Sequence, residues 1–389
     1  MSLHIRHHSY QFLKDKEMNE LYVFYGIFNF ALELISIFVP IYLYKIGYSI
    51  PWIIFHYFIT SLVFVAFSYT GARIVSRIGI KHSFLVTVPL FITYFLGLHF
   101  IPDFPALFFI LPAIRAVKMV LFNFSFHLNF IKHSDRKNRG KEVTVAQASA
   151  LAASFLAPFF GGAIVKFANF PTLFITGSLI LLASVIPLFM SRENYEKTDF
   201  NRRNLFRDIF RRENIPYVMS FSGYAIESWI GFIIWPIFLY LIFFNTESVG
   251  AATSLTTILT FLIFYYIGKE SDKKDKRQLL KVGTVLYFFG WLGRIFVDSF
   301  TSILFIDTYK NLSQHFLYIP WSAYFYDLAA KGNYFKFIVQ REIIFNVARI
   351  AVLPLLMLIF SANFHPFGIS FSLAAFSSLF YIALNKKTV

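Results

Sequence analysis

No cysteine occurs anywhere in the 389 residues, which excludes disulfides, thiolate catalysis and cysteine-ligated zinc. Charge is scarce as well. Only 15% of residues are Asp, Glu, Lys or Arg, where a soluble domain carries roughly a quarter. Catalytic signatures are missing: there is no Gly-rich phosphate loop ending in Lys-Ser/Thr, no His-Glu-x-x-His and no nucleophile elbow. An ATP-driven pump, a metalloprotease and a hydrolase are therefore not expected, nor is any cofactor or metal. The opening segment, MSLHIRHHSYQFLKDKEMNE, is polar and lacks a small-residue cleavage site, so it reads as a short cytoplasmic stretch rather than a removable signal peptide.

What the chain has in abundance is apolar and aromatic surface. Hydrophobic residues make up 57% and aromatic residues 21%, with 53 Phe and 22 Tyr, and the mean hydropathy is +0.60. Apolar stretches long enough to cross a bilayer as helices fall at 20–44, 51–71, 83–101, 104–130, 143–166 and 170–190. Six more follow at 216–244, 248–267, 279–298, 300–328, 341–362 and 366–385. The expectation is an all-α polytopic membrane protein with twelve spans.

The net charge of +15 could suggest nucleic-acid binding, but the basic residues are placed by a different rule. They crowd the N-terminal segment, every even-numbered connection and the C-terminal tail, while the odd-numbered connections hold only Lys45 and Lys166. That alternation is the positive-inside pattern. It implies an even number of spans, both termini in the cytoplasm, a location in the cytoplasmic (inner) membrane, and no nucleic-acid partner.

The polar stretch SRENYEKTDFNRRNLFRDIFRRENIP divides the chain. The expected organisation is a cytoplasmic segment 1–19, a six-helix bundle 20–190, a basic linker 191–215, a second six-helix bundle 216–385 and a tail 386–389. Phe200, Leu205, Phe206, Ile209 and Phe210 among the linker arginines suggest either an amphipathic helix at the lipid headgroups or a plain connector. The halves repeat weakly. Ala31-Leu32-Glu33 answers to Ala225-Ile226-Glu227, ARIVSRIGIK from Ala72 to GKESDKKDKR from Gly268, and Arg115 to Lys310, all at nearly the same separation. Near-constant offsets in order imply two six-helix repeats, one pseudo-symmetric with the other.

These stretches resemble the major facilitator superfamily, over essentially the whole length. Its loop signature, Gly-x-x-x-Asp-Arg/Lys-x-Gly-x-Arg/Lys, is approximated after the second span by Arg77, Gly79 and Lys81, with Ala72 and Ser76 replacing the first Gly and the Asp. After the eighth span it is approximated by Gly268, Asp272, Lys273 and Arg277. The resemblance implies that these loops gate the conformational change. In the fifth span Ala153, Ala157, Pro158, Gly161 and Gly162 are similar to the family's Gly-x-x-x-Gly-Pro-x-x-Gly-Gly motif. Small residues at that spacing allow close helix approach, and the family's association of the motif with antiporters implies export. Arg115 stands where the family often has an arginine linked to proton coupling.

Ionisable residues inside spans are costly and face cavities or one another. Glu33, Arg115, Lys118, Glu227, Asp307, Lys310 and Arg349 are the candidate substrate and proton pathway, and the resemblance places the first, fourth, seventh and tenth spans around it. Glu33 is expected to pair with Arg115, and Glu227 with Lys310 or with neighbours of Asp307. Arg294 is expected to pair with Asp298, and Asp327, Lys331, Arg341 and Glu342 to form a cytoplasmic charge network. His56 and His127 read as hydrogen-bonded fillers, and Trp229, Trp235 and Trp321 either line a substrate pathway or are three rings among many.

The expected function is secondary active transport of a small organic solute by alternating access. An amphipathic or zwitterionic substrate, proton coupling and export are the leading details, with membrane lipids around a monomer. The alternatives are a proton-coupled nutrient importer, and a non-transporting or lipid-handling protein of the same fold.

Overall fold

The computed structural model describes residues 16–133, 155–187, 195, 201–209, 211–271 and 276–384. Among these, all regular structure is helical. The first expected span is two helices, α1 (Lys16–Ser36) and α2 (Phe38–Lys45). Pro40 has no N–H to give the Ser36 carbonyl, and the chain breaks at Ile37. Then come α3 (Ile50–Ile78), α4 (Ile80–His99), α5 (Leu107–His133), α6 (Ala157–Phe167) and α7 (Phe170–Ser184). Only Gly79 separates α3 from α4, at φ 92°, a conformation that a side chain strains and glycine adopts freely.

A short helix, α8 (Arg202–Ile209), precedes the second half: α9 (Ile215–Phe243), α10 (Thr246–Ser271), α11 (Lys276–Gly293), α12 (Phe300–Ala329), α13 (Tyr334–Ala362) and α14 (Pro366–Ser378). Proline lies in the first turn of α3, α6, α7, α9 and α14, where no N–H is needed. Side-chain caps start α7, α13 and α12: Asn169 accepts from Thr172 N at 2.9 Å, Asn333 from Lys336 N at 2.8 Å, and Ser299 with Ser302 closes a capping box on α12.

Nine helical stretches among the described residues are long and apolar enough to cross a bilayer. Helices occupy the other three expected places too. Two of them, α6 and α7, are apolar but shorter, and residues 143–154 of the expected fifth span lie outside the described residues. The third, α12, is long enough but carries Asp307, Lys310 and His315, so its composition is that of a helix buried among others.

Packing follows the repeat. In the first half α5 lies against α3 and α4, and α7 against α1 and α4. In the second α11 lies against α12 and α14, and α9 against α13 and α14. Across the halves the main contacts are α3 with α13 and α6 with α10. These are the second span on the eleventh and the fifth on the eighth, pairs that exchange under a six-span repeat.

The α6 contact is built from small residues. A Cβ on Gly161 would strike the Leu34 carbonyl and the Phe38 ring, one on Gly162 would lie 2.6 Å from the Thr246 carbonyl, and one on Gly250 would strike the Pro158 carbonyl. The Phe159 amide donates to Ser254 Oγ at 2.9 Å across the same seam. Lys166 and Glu247 close its end at 3.1 Å.

The described part of the linker is an amphipathic helix, packed on protein. Leu205 and Ile209 are buried while Arg202, Arg203 and Arg207 are exposed. Gln340 Nε2 donates to the Leu205 carbonyl at 3.0 Å, and Lys336 pairs with Asp208. Its apolar face is therefore spent on α13 rather than on lipid. Phe200 and Phe210 lie outside the described residues.

Candidate functional site

Between the halves lies a cavity of about 210 Å³ whose walls come from α1, α5, α9, α12 and α13. Its lining is ring-rich, with Tyr25, Phe126, Tyr224, Trp321, Phe325 and Phe345 among the contributors. Among the described residues two hydrogen bonds cross it. Asn123 Nδ2 donates to Glu342 Oε2 at 2.9 Å, and His127 Nδ1 lies 2.9 Å from the Tyr326 hydroxyl. Glu342 is also held by its neighbour Arg341, whose Nε lies 3.2 Å from Oε1. The Arg341–Glu342 pair is thus buried in the cavity wall rather than part of an open surface network. His127 is hydrogen-bonded, as expected, and also lines the cavity.

The expected Glu33–Arg115 pair does not form. The side chain of Arg115 faces rings of α3, α4 and α9. Its guanidinium lies 4.9 Å from the Tyr57 centroid, 4.9 Å from Phe232, and 5.5 Å from both Tyr94 and Trp229. Nη1 donates to the Tyr94 hydroxyl at 3.3 Å, and that hydroxyl is 3.4 Å from His56 Nε2. A central arginine costs about 2.5–3.5 kcal/mol on insertion scales. A desolvated cation–π contact returns about 0.5–2 kcal/mol, so four rings offset that cost without a carboxylate. Glu33 is exposed on α1, two turns from Tyr25 on the stripe that also holds Asn29.

Lys118, one turn from Arg115, is caged likewise. Its ammonium is 3.5 Å from the Phe91 centroid and 4.6 Å from Tyr94. Arg349 faces the cavity, with its guanidinium 4.7 Å from the Trp229 centroid and Nη1 3.4 Å from Asn346 Oδ1.

In the second half the charges are also paired differently from expectation. Glu227 accepts from the Tyr287 and Tyr381 hydroxyls, each at 2.8 Å. Lys310 instead reaches Gln314 Oε1 at 3.0 Å and sits over Tyr287 and Trp291. Asp307 binds Arg294, whose Nε is 2.9 Å from Oδ1, and accepts from Trp235 Nε1 at 3.2 Å. Arg294 therefore does not pair with Asp298, whose carboxylate caps α12 through Ser302 Oγ at 3.2 Å. Arg294 and Asp307 sit on adjoining spans, where α11 and α12 pack closely, and a buried pair outweighs a surface one.

Of the loop residues, Arg77 is exposed in the last turn of α3, Gly79 forms the turn, and Lys81 lies 3.8 Å from Glu20. Gly268 is in α10, Arg277 opens α11, and Asp272 and Lys273 lie outside the described residues. Ala157, Pro158, Gly161 and Gly162 are buried at the seam between α6, α1 and α10, and Ala153 lies outside the described residues.

What the sequence did not show is that aromatic residues are the partners of the buried charges. Trp229 is shared by Arg115 and Arg349, Trp235 holds Asp307, and Trp321 donates to Ser220 Oγ at 2.8 Å at the cavity wall. The available signal was the excess of cations over carboxylates inside spans, which demands another class of partner.

The comparisons with known proteins agree with this architecture. A crystal structure of a D-xylose-proton symporter superposes with a TM-score of 0.70 at 13% identity, covering 95% of this chain and 98% of that one. The proton:xylose symporter XylE bound to 6-bromo-6-deoxy-D-glucose gives 0.68 at 12% identity, covering 94% of each chain. At such identities the likeness concerns the fold. No curated protein sequence matches the chain. The family model described as Major Facilitator Superfamily matches residues 129–333, more than half of the sequence. The chain therefore belongs to the major facilitator superfamily, as an integral membrane secondary transporter and not an enzyme.

Proposed function

We propose that this transporter moves a small organic solute across the cytoplasmic membrane by alternating access, coupled to protons, with residues 20–190 rocking against 216–385. One observation carries the reading: the ring-lined cavity draws its walls from both halves, so any relative rotation remodels it. The basic connections face the cytoplasm together with both termini, and the chain acts as a monomer. Glu33 is the candidate proton carrier. It is exposed on the α1 stripe that continues from Tyr25, whereas Glu227, Asp307 and Glu342 already have firm partners. A carboxylate without a fixed cation takes up a proton more readily than one that is paired, and a cation brought near it during rocking would drive the proton off.

The test is reconstitution in liposomes enclosing a pH-sensitive dye, challenged with a panel of small organic acids, amines and sugars. Addition of a substrate is expected to move protons, and Glu33→Gln is expected to abolish gradient-driven accumulation while leaving solute exchange partly intact. Accumulation unchanged in Glu33→Gln would remove the coupling assignment, and a panel without any flux would remove the transport reading.

A further inference from the structure

Inside the spans, cations outnumber the carboxylates that could neutralise them. Arg294 has Asp307 and Arg341 has Glu342, but among the described residues no carboxylate reaches Arg115, Lys118, Lys310 or Arg349 within ion-pair distance. Two of these four share one indole, since both the Arg115 and the Arg349 guanidinium groups lie against Trp229. Around that indole four buried donors have no hydrogen-bond partner among the described residues: Arg115 Nε, Arg349 Nε, Trp229 Nε1 and the Tyr57 hydroxyl. Arg115, Arg349, Trp229 and Tyr57 are each at most 8% exposed. Buried donors without acceptors are rare and expensive. Four around one ring, all able to donate and two of them cationic, make a site that lacks its acceptor.

From this we propose that the transported solute is an organic anion, its carboxylate or similar acidic group held by Arg349 and Arg115 beside Trp229 and its flat or apolar body lying in the ring-lined cavity beneath. The proposal rests on the transport reading and narrows its substrate class. Arg349 lines the cavity itself, and Arg115 lies one turn from the cavity residue Met119. A zwitterion is disfavoured because the one carboxylate in the lining, Glu342, is already held by Arg341 and Asn123. Guanidinium–carboxylate hydrogen bonds are among the stronger polar contacts, and an aromatic body suits walls of Phe, Tyr and Trp.

The experiment is binding to the purified full chain, followed by intrinsic tryptophan fluorescence and thermal unfolding at pH 7. The probes are benzoate, its neutral isostere benzamide, the cation benzylamine, and inorganic phosphate. Benzoate is expected to bind at least about tenfold more tightly than benzamide or benzylamine, with Arg349→Gln and Arg115→Gln each erasing about tenfold of its affinity. Arg349→Lys is expected to restore part of it. Equal binding of benzoate and benzamide in the unmodified protein would overturn the proposal even if the variants fail to fold. So would benzoate affinity unchanged in a folded Arg349→Gln. Phosphate binding as tightly as benzoate would overturn the role of the aromatic walls. Binding of benzoate without any flux would instead count against transport and leave the anion site standing.

Discussion

At the scale of single residues, the buried polar groups sort by whether the protein itself completes them. Asp307 is complete, with Arg294 and Trp235, and we propose that it serves the scaffold rather than a moving pathway. Removing one member of a buried pair strands the other and costs about 3–5 kcal/mol. Asp307→Asn is therefore expected to lower the unfolding midpoint sharply, and transport should fall in proportion to folded protein. Normal stability with lost transport would return Asp307 to the pathway. Tyr381→Phe removes one of the two hydroxyls on Glu227 and is expected to cost about 1–3 kcal/mol, measurable in the same assay. The sequence identified most of the buried charges, because an ionisable residue in an apolar run announces itself, but Glu33 is exposed and the Arg341–Glu342 pair is buried. The sequence could not identify the partners of these charges, since pairing depends on how each helix is rotated about its axis. A change of one residue in register swings Arg115 from α1 toward the rings of α3, α4 and α9.

Among the helices, the seam of α6 with α10 depends on the absence of side chains. A Cβ on Gly250 meets the Pro158 carbonyl, which is backbone and cannot yield. Gly250→Val should therefore push these helices apart and favour the state in which the seam is open. Because the native chain has no cysteine, a Lys166→Cys thiol is a clean reporter at the end of that seam. Its maleimide labelling should rise several-fold when Gly250→Val is added, and unchanged labelling would contradict a seam that opens. The clip between α8 and α13 has a pH signature. The Lys336 ammonium beside Asp208 holds that carboxyl below its usual range. The clip thus contributes in full above the ordinary carboxylate range and is lost as pH falls through the lowered value. The effect is small because the pair is partly exposed, and Asp208→Asn should abolish it in acid-side melting curves. Helix positions were legible because twelve apolar runs, bounded by proline, glycine and basic turns, leave few alternatives. The packing of α8 was not, since an amphipathic helix reads the same whether its apolar face meets lipid or protein.

Over the whole molecule, the two main inter-half contacts, α3 with α13 and α6 with α10, are equivalent under the repeat, and the cavity takes its walls from both halves. Alternating access requires that the cavity open to each side in turn. The cysteine-free chain allows that to be measured without knowing the substrate. A Met119→Cys thiol in the cavity wall is probed with a membrane-impermeant maleimide from either face of sealed vesicles. A second preparation adds Lys166→Cys and Glu247→Cys, the natural ion pair at 3.1 Å, joined by a short bifunctional thiol reagent that holds the α6–α10 seam shut. The account predicts that the Met119→Cys thiol reacts from both faces in the free protein. With the seam cross-linked by a cleavable reagent, it should react only from the face carrying the basic connections, and cleavage should restore reaction from both. Labelling from one face alone, whether or not the seam is linked, would contradict alternating access through this cavity.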